Sequence, residues 1–186
     1  MNNEAINLIY FGRITESKNV DMIIKVLSIL IRNGYQAKLD LIGGYADEYM
    51  HRLKSCEKSE QIPNGTVIYH HAQPLSYITE RLKCAHYFVF PSQEKKEGHS
   101  NSLTEAMAYG VVPIVSKAGF NESICGDPKL VVSEFSPQGF ANRIMDIEKS
   151  GKWDSLSQFV YNRVIERFTE VQAINELKTV LDSLSI

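Results

Sequence analysis

A chain of 186 residues is long enough to bury a core without disulfides or a structural metal, and short enough to form one domain, 1–186. Its 44% hydrophobic and 23% charged residues exclude extended disorder, and a net charge of −2 excludes a general basic field that would draw nucleic acid. Cys56, Cys84 and Cys125 form no C-x-x-C pair, and the start MNNEAINLIYFGR has neither a charged n-region nor a long apolar run, so a reduced cytoplasmic protein is expected.

The first strand is INLIYF, 6–11. It is almost continuously apolar, as expected of a strand buried on both faces of a parallel sheet. The loop leaving it, Gly12-Arg13-Ile14-Thr15-Glu16-Ser17-Lys18, carries a guanidinium and an ammonium just before a helix. Such a pair suits two adjacent phosphates, although two solvated surface charges would read the same way. The helix that follows places Val20, Ile23, Ile24, Leu27, Leu30 and Ile31 on one stripe, widened by Met22, Val26 and Ile29, with Asn19 as its cap and Gly34 just past its end.

Further strands are expected at 37–43, 66–71, 86–90, 111–116 and 129–132. Helices are expected over about 46–60, from Pro74 to Cys84, and over SLTEAMAYG up to Gly110. Parallel neighbours need such crossovers, so the chain reads as repeated βαβ units: an α/β doubly wound, six-stranded parallel sheet. Beyond the sheet core of 6–132 the pattern is helical, over 137–151, 153–168 and 170–186. The last of these lines up Val171, Ile174, Leu177, Leu181 and Leu184, a stripe that must find a partner on this domain or another. Tyr10, Phe11, Tyr87, Phe88 and Phe90 lie within strands and read as core.

The richest loop is Glu97-Gly98-His99-Ser100-Asn101-Ser102-Leu103-Thr104-Glu105, between the fourth strand and the fourth helix. Small and polar residues at 98–102 let main-chain N–H groups approach an anion, and the helix dipole behind them favours negative charge. Glu97 and Glu105 bracket this seat, placed to accept hydrogen bonds from the hydroxyls of a sugar and a ribose. Ser102-x-x-Glu105 also fits a capping box, which would use up the Glu105 carboxylate inside the helix, and Glu97 also fits a solvated charge run with Glu94, Lys95 and Lys96. His70-His71 invite a metal reading that lacks a third ligand.

The stretch EGHSNSLTEAMAYGVVPIVS resembles the Glu-x7-Glu signature of retaining glycosyltransferase family 4, the glycosyl transferases group 1, and GRITESKNVD resembles that family's Gly-Arg…Lys loop. The resemblance implies the C-terminal, donor-binding half of a GT-B enzyme, with Gly12, Arg13 and Lys18 on the diphosphate of a UDP- or GDP-linked sugar. It gives the catalytic-site position to Glu97, against the hydroxyls of the transferred sugar, the ribose to Glu105, and the phosphate cradle to Gly98, His99, Ser100, Asn101 and Ser102. Glu122 matches a further acidic position of the family. The chain departs from the family at Ala118-Gly119, where two glycines are usual, at Gly43-Gly44-Tyr45 and at His70-His71.

The resemblance also implies an N-terminal acceptor domain that the chain does not contain, so a truncated or separately encoded half is expected, inactive by itself. The whole enzyme would pass a sugar to a glycan or lipid-linked acceptor in polysaccharide biosynthesis, with any association with the inner membrane face made through the other half. No metal or other cofactor is expected, since no Asp-x-Asp occurs. Two other functions fit the same loops: a nucleotide-sugar epimerase of GT-B architecture, and a non-catalytic nucleotide-binding module. A dinucleotide oxidoreductase does not, for want of G-x-G-x-x-G after the first strand.

Overall fold

The computed structural model describes residues 5–94 and 98–184, with the side chains of 177 and 180–184 outside the description. Six strands, β1 (Ile6–Phe11), β2 (Ala37–Ile42), β3 (Val67–His70), β4 (Tyr87–Phe90), β5 (Val112–Ser116) and β6 (Val131–Val132), pair in parallel in the order β3-β2-β1-β4-β5-β6. This is the doubly wound order expected from the alternation of apolar runs and amphipathic segments. The order reverses between β1 and β4, and there two loops diverge and leave a crevice at the carboxyl ends of the strands.

The helices are α1 (Val20–Arg32), α2 (Asp47–Ser59), α3 (Leu75–Leu82), α4 (Asn101–Ala108), α5 (Asn121–Cys125), α6 (Pro137–Ser150), α7 (Trp153–Arg167) and α8 (Glu170–Leu184). Right-handed crossovers put α1 and α2 on one face of the sheet and the helices after β3 on the other. The C-terminal helices complete both layers, α6 packing on α1 and α7 on α4. Val20, Ile23, Ile24, Leu27 and Leu30 of α1 are fully buried, as their spacing predicts, while Ile31 is only half-buried at the end of the stripe. All five strand aromatics are core residues, with Tyr10, Phe88 and Phe90 stacked on one another.

Several local expectations change. The run at 129–132 is extended only at Val131–Val132, because Pro128 starts a 3₁₀ turn, Pro128–Leu130, that the Asp127 carboxylate caps by accepting from the Lys129 N–H at 2.8 Å. The short α5 was not legible, its five residues giving too little periodicity. Asn19 stands at the cap position of α1 without capping it: its φ of 49° turns the chain out of the 3₁₀ turn Glu16–Lys18, and its side-chain amide donates instead to the Pro91 carbonyl at 3.1 Å. On α8, Val171 and Ile174 are exposed, and the rest of the expected stripe, at 177, 181 and 184, lies outside the described side chains. Among the described residues no helix is long and apolar enough to cross a membrane.

The ends of β1 and β2 approach so closely that Gly43 has no room for a side chain. A Cβ there would stand 1.8 Å from the Gly12 carbonyl oxygen, while the Gly12 N–H bonds to Ile42 O at 3.0 Å and the Gly43 N–H to His70 O at 3.1 Å. Since the colliding atom is backbone, it cannot rotate away. Gly43→Ala is therefore expected to destabilise the domain by roughly 3 kcal/mol, read as a lowered urea midpoint.

Candidate functional site

Because β1 lies beside β4, the loop 12–18 and the start of α4 meet over the crevice. A Cβ on Gly12, whose φ of 136° favours glycine, would stand 3.9 Å from Ser102 Oγ. The buried Tyr10 donates its hydroxyl hydrogen to the Arg13 carbonyl at 2.7 Å, and the Gln93 N–H bonds to Ser17 O at 3.1 Å. Together with the Asn19 to Pro91 bond, these contacts hold the two loops in one register. Tyr10 thus supports the loop as well as the core, a role that only its position two residues before Gly12 could have suggested.

Arg13 and Lys18 differ in environment but share a target. Arg13 is 73% exposed, as the solvated reading allows; the Lys18 side chain is 7% exposed, which that reading does not. The Lys18 stem runs beneath the surface, its ammonium 5.3 Å from the Phe90 ring centroid and 2.5 Å from Glu94 Oε2. Arg13 Nη2 lies 3.7 Å from the other oxygen of the same carboxylate. The Lys18 ammonium beside it holds the Glu94 carboxyl below the usual carboxylate range, with Arg13 adding to the effect. Glu94, read from the sequence only as part of a charge run, is the residue on which both cations converge.

At the start of α4, Ser100 is the cap, accepting from the Leu103 N–H at 3.4 Å, and its hydroxyl lies 3.2 Å from that of Ser102. The capping box at Ser102-x-x-Glu105 is therefore not formed: Ser102 is already inside the helix, and Glu105 is a turn too far along to reach back. Among the described residues the Glu105 carboxylate has no hydrogen-bond partner. The main-chain N–H groups of Asn101 and Ser102 likewise make no hydrogen bond within the described residues, and these are the orphan donors a helix N-terminus offers to an anion.

The remaining expected residues divide. Gly98 is exposed at the mouth of the crevice. His99 turns its ring away, with Nε2 2.7 Å from Thr104 Oγ1 and an edge contact to Phe168 at 5.2 Å, so it offers only main chain. Glu122, on α5, sits 3.8 Å from Lys117 Nζ and contacts neither Arg13 nor Lys18. Glu97 lies outside the described residues. Of the paired histidines, His70 is fixed between Asp40 at 3.0 Å and Tyr77 at 3.0 Å, and His71 stacks on Tyr45 with 4.8 Å between ring centroids. A cleft at the opposite end of the strands, lined by Ile6, His86, Glu148 and Trp153, is laced by structural bonds from Trp153 Nε1 to His86 O and from Tyr87 to Glu148, far from both loops.

Residues 2–163 match the family described as glycosyl transferases group 1. The chain belongs to that family. It is 28% identical over 142 residues to the capsular polysaccharide biosynthesis glycosyltransferase CapM of Staphylococcus aureus, an alignment covering 73% of this chain and 34% of CapM. The chain thus spans well under half of that curated relative. Among solved structures, the C-terminal domain of the group 1 protein LpcC from Francisella tularensis superposes with a TM-score of 0.75 at 20% identity, covering 89% of this chain and 87% of that one. HepE from Anabaena, in complex with UDP and glucose, gives a TM-score of 0.82 at 17% identity over 96% of this chain and 48% of that one. The fold is that of a GT-B C-terminal domain, as the Glu-x7-Glu resemblance implies.

Within this group 1 domain, burial pushes the Glu105 carboxyl above the usual carboxylate range. A carboxyl raised in the folded state binds protons there more readily than in the unfolded chain, so it costs stability as pH rises through that range and nothing below it. Glu105→Gln is accordingly expected to melt at or above the temperature of the parent near neutral pH, with the difference closing in acid, a comparison that thermal denaturation at several pH values provides.

Proposed function

We propose that this domain binds the nucleotide diphosphate sugar donor, UDP- or GDP-linked, of a retaining glycosyltransferase, and that the complete enzyme passes the sugar to a glycan or lipid-linked acceptor held by a second domain. One observation carries the reading: an exposed guanidinium and a buried ammonium on one loop converge on a single anionic group beside an open helix N-terminus. A capsular polysaccharide glycosyltransferase among its relatives and a UDP-bound structure of the same fold support it.

In this reading Arg13 and Lys18 hold the diphosphate, with Gly12 giving close approach and the main-chain donors at 98–102 completing the cradle. As the bond from the anomeric carbon to the diphosphate breaks, charge grows on the departing oxygen. The two cations and the dipole of α4 are already in place to receive it, which lowers the barrier without reorganisation. Glu105 accepts from the ribose hydroxyls, which repays the desolvation of its carboxylate, and Glu97 accepts from the sugar hydroxyls and orients the ring. Glu122 serves the sugar end through α5. The domain supplies donor and leaving-group stabilisation, and the acceptor hydroxyl comes from the other half.

Calorimetric titration of UDP and GDP tests this. Arg13→Ala and Lys18→Ala are each expected to weaken binding about tenfold or more, since each removes a charge-assisted contact to phosphate. Glu105→Gln is expected to weaken the nucleotides while leaving inorganic pyrophosphate unaffected. Unchanged nucleotide affinity in both cation variants would remove the donor-site reading.

A further inference from the structure

We infer that Glu94 is a built-in competitor for the diphosphate: its carboxylate takes the same two cations, and donor binding proceeds by displacing it. The inference rests on the donor-site reading and adds a residue that sets how tightly the seat holds its anion.

Glu94 divides its two oxygens as a bridging phosphate would, Oε2 to Lys18 Nζ at 2.5 Å and Oε1 to Arg13 Nη2 at 3.7 Å. The contact to Lys18 is the tighter one and the better shielded, because that ammonium is buried beside Phe90 whereas Arg13 is open to water. A phosphate oxygen brought to hydrogen-bond distance of the same Nζ stands next to the carboxylate, and two anions at that spacing repel. One of them must leave, and Glu94 is free to do so. Its side chain is about one-third exposed, and its loop is tied down by main chain at the neighbouring residue, where the Gln93 N–H meets Ser17 O. A side-chain rotation suffices, with no movement of β4 or α4.

The arrangement has two consequences for turnover. A buried ammonium is costly without a counter-charge, and Glu94 supplies one whenever the diphosphate does not. The same carboxylate, returning to Lys18, displaces the nucleoside diphosphate product. Since Lys18 holds the Glu94 carboxyl below the ordinary range, the competitor stays charged at neutral pH.

The experiment titrates UDP, GDP and inorganic pyrophosphate into the chain, Glu94→Gln, Glu94→Asp, Lys18→Ala and the Lys18→Ala/Glu94→Gln double variant, with unliganded melting temperatures measured alongside. Glu94→Gln is expected to bind all three ligands about fivefold more tightly and to melt lower when unliganded, since Lys18 loses its counter-charge. Glu94→Asp, still charged but too short to hold the same contact, moves in the same direction by less. In the Lys18→Ala background the gain disappears. Equal or weaker binding by Glu94→Gln, with the parent binding normally, overturns the competitor and leaves the donor site standing. A gain of the same size without Lys18 also overturns it, as an effect of net charge alone. No binding of any of the three ligands by parent or variant overturns both.

Discussion

The arrangement of this domain turns on one buried cation. The Lys18 ammonium is carried on a loop but folded beneath its surface, against the Phe90 ring, where an unpaired charge would be expensive. A counter-charge within hydrogen-bond reach is therefore a structural requirement, met by Glu94 from the loop after β4. The requirement links two segments more than seventy positions apart in the chain, and the contacts around it serve to keep them in register: Tyr10 under Arg13, Asn19 on Pro91, Gln93 on Ser17. The close approach of Gly12 and Gly43 belongs to the same construction, since it lets the first loop leave the sheet low enough to pass over β4.

Around that cation the domain tolerates polar groups that pure stability would remove. The Glu105 carboxylate is partly desolvated with no hydrogen-bond partner among the described residues, and burial raises its pKa. The Asn121 side-chain oxygen, at the head of α5, is buried without a partner although its amide donates to Ser116 O at 3.2 Å. Such groups weaken a fold and are retained where a ligand can repay them. By contrast, the polar clusters away from the crevice are paired. Asp40 accepts from Arg81 at 2.7 and 2.9 Å and lies 3.0 Å from His70, binding β2, β3 and α3 into one edge of the sheet. The difference between these two kinds of polar site separates binding from scaffolding more clearly than position in the sequence does.

The C-terminal helices show how the second layer is finished. α6 returns to α1 and α7 to α4, so the helix whose N-terminus faces the crevice is clamped from behind. Arg163 of α7 donates through Nε to Ile124 O at 2.7 Å, which ties α5 into the same clamp. The clamp bears on function because it holds the open end of α4 fixed relative to the sheet, and preorganised dipoles are worth more than mobile ones.

What the sequence determined by itself was everything that depends on local periodicity and composition. The apolar runs gave all six strands in order, with β1 at 6–11 to the residue, and the helical stripes gave the three long C-terminal helices. The motif spacing located the two loops that meet at the crevice, since Gly12-Arg13…Lys18 and Glu97…Glu105 each carry their chemistry within a few residues. Tertiary structure decided what depends on non-local pairing. Whether Lys18 was solvated or buried rested on Phe90, whether Glu94 was surface charge or counter-ion rested on Lys18, and whether Glu105 was spent on a capping box rested on which serine the helix chose as its cap. A charge in a sequence has no dielectric and no partner until the sheet order brings β1 beside β4, and the order of strands is a property of the whole chain.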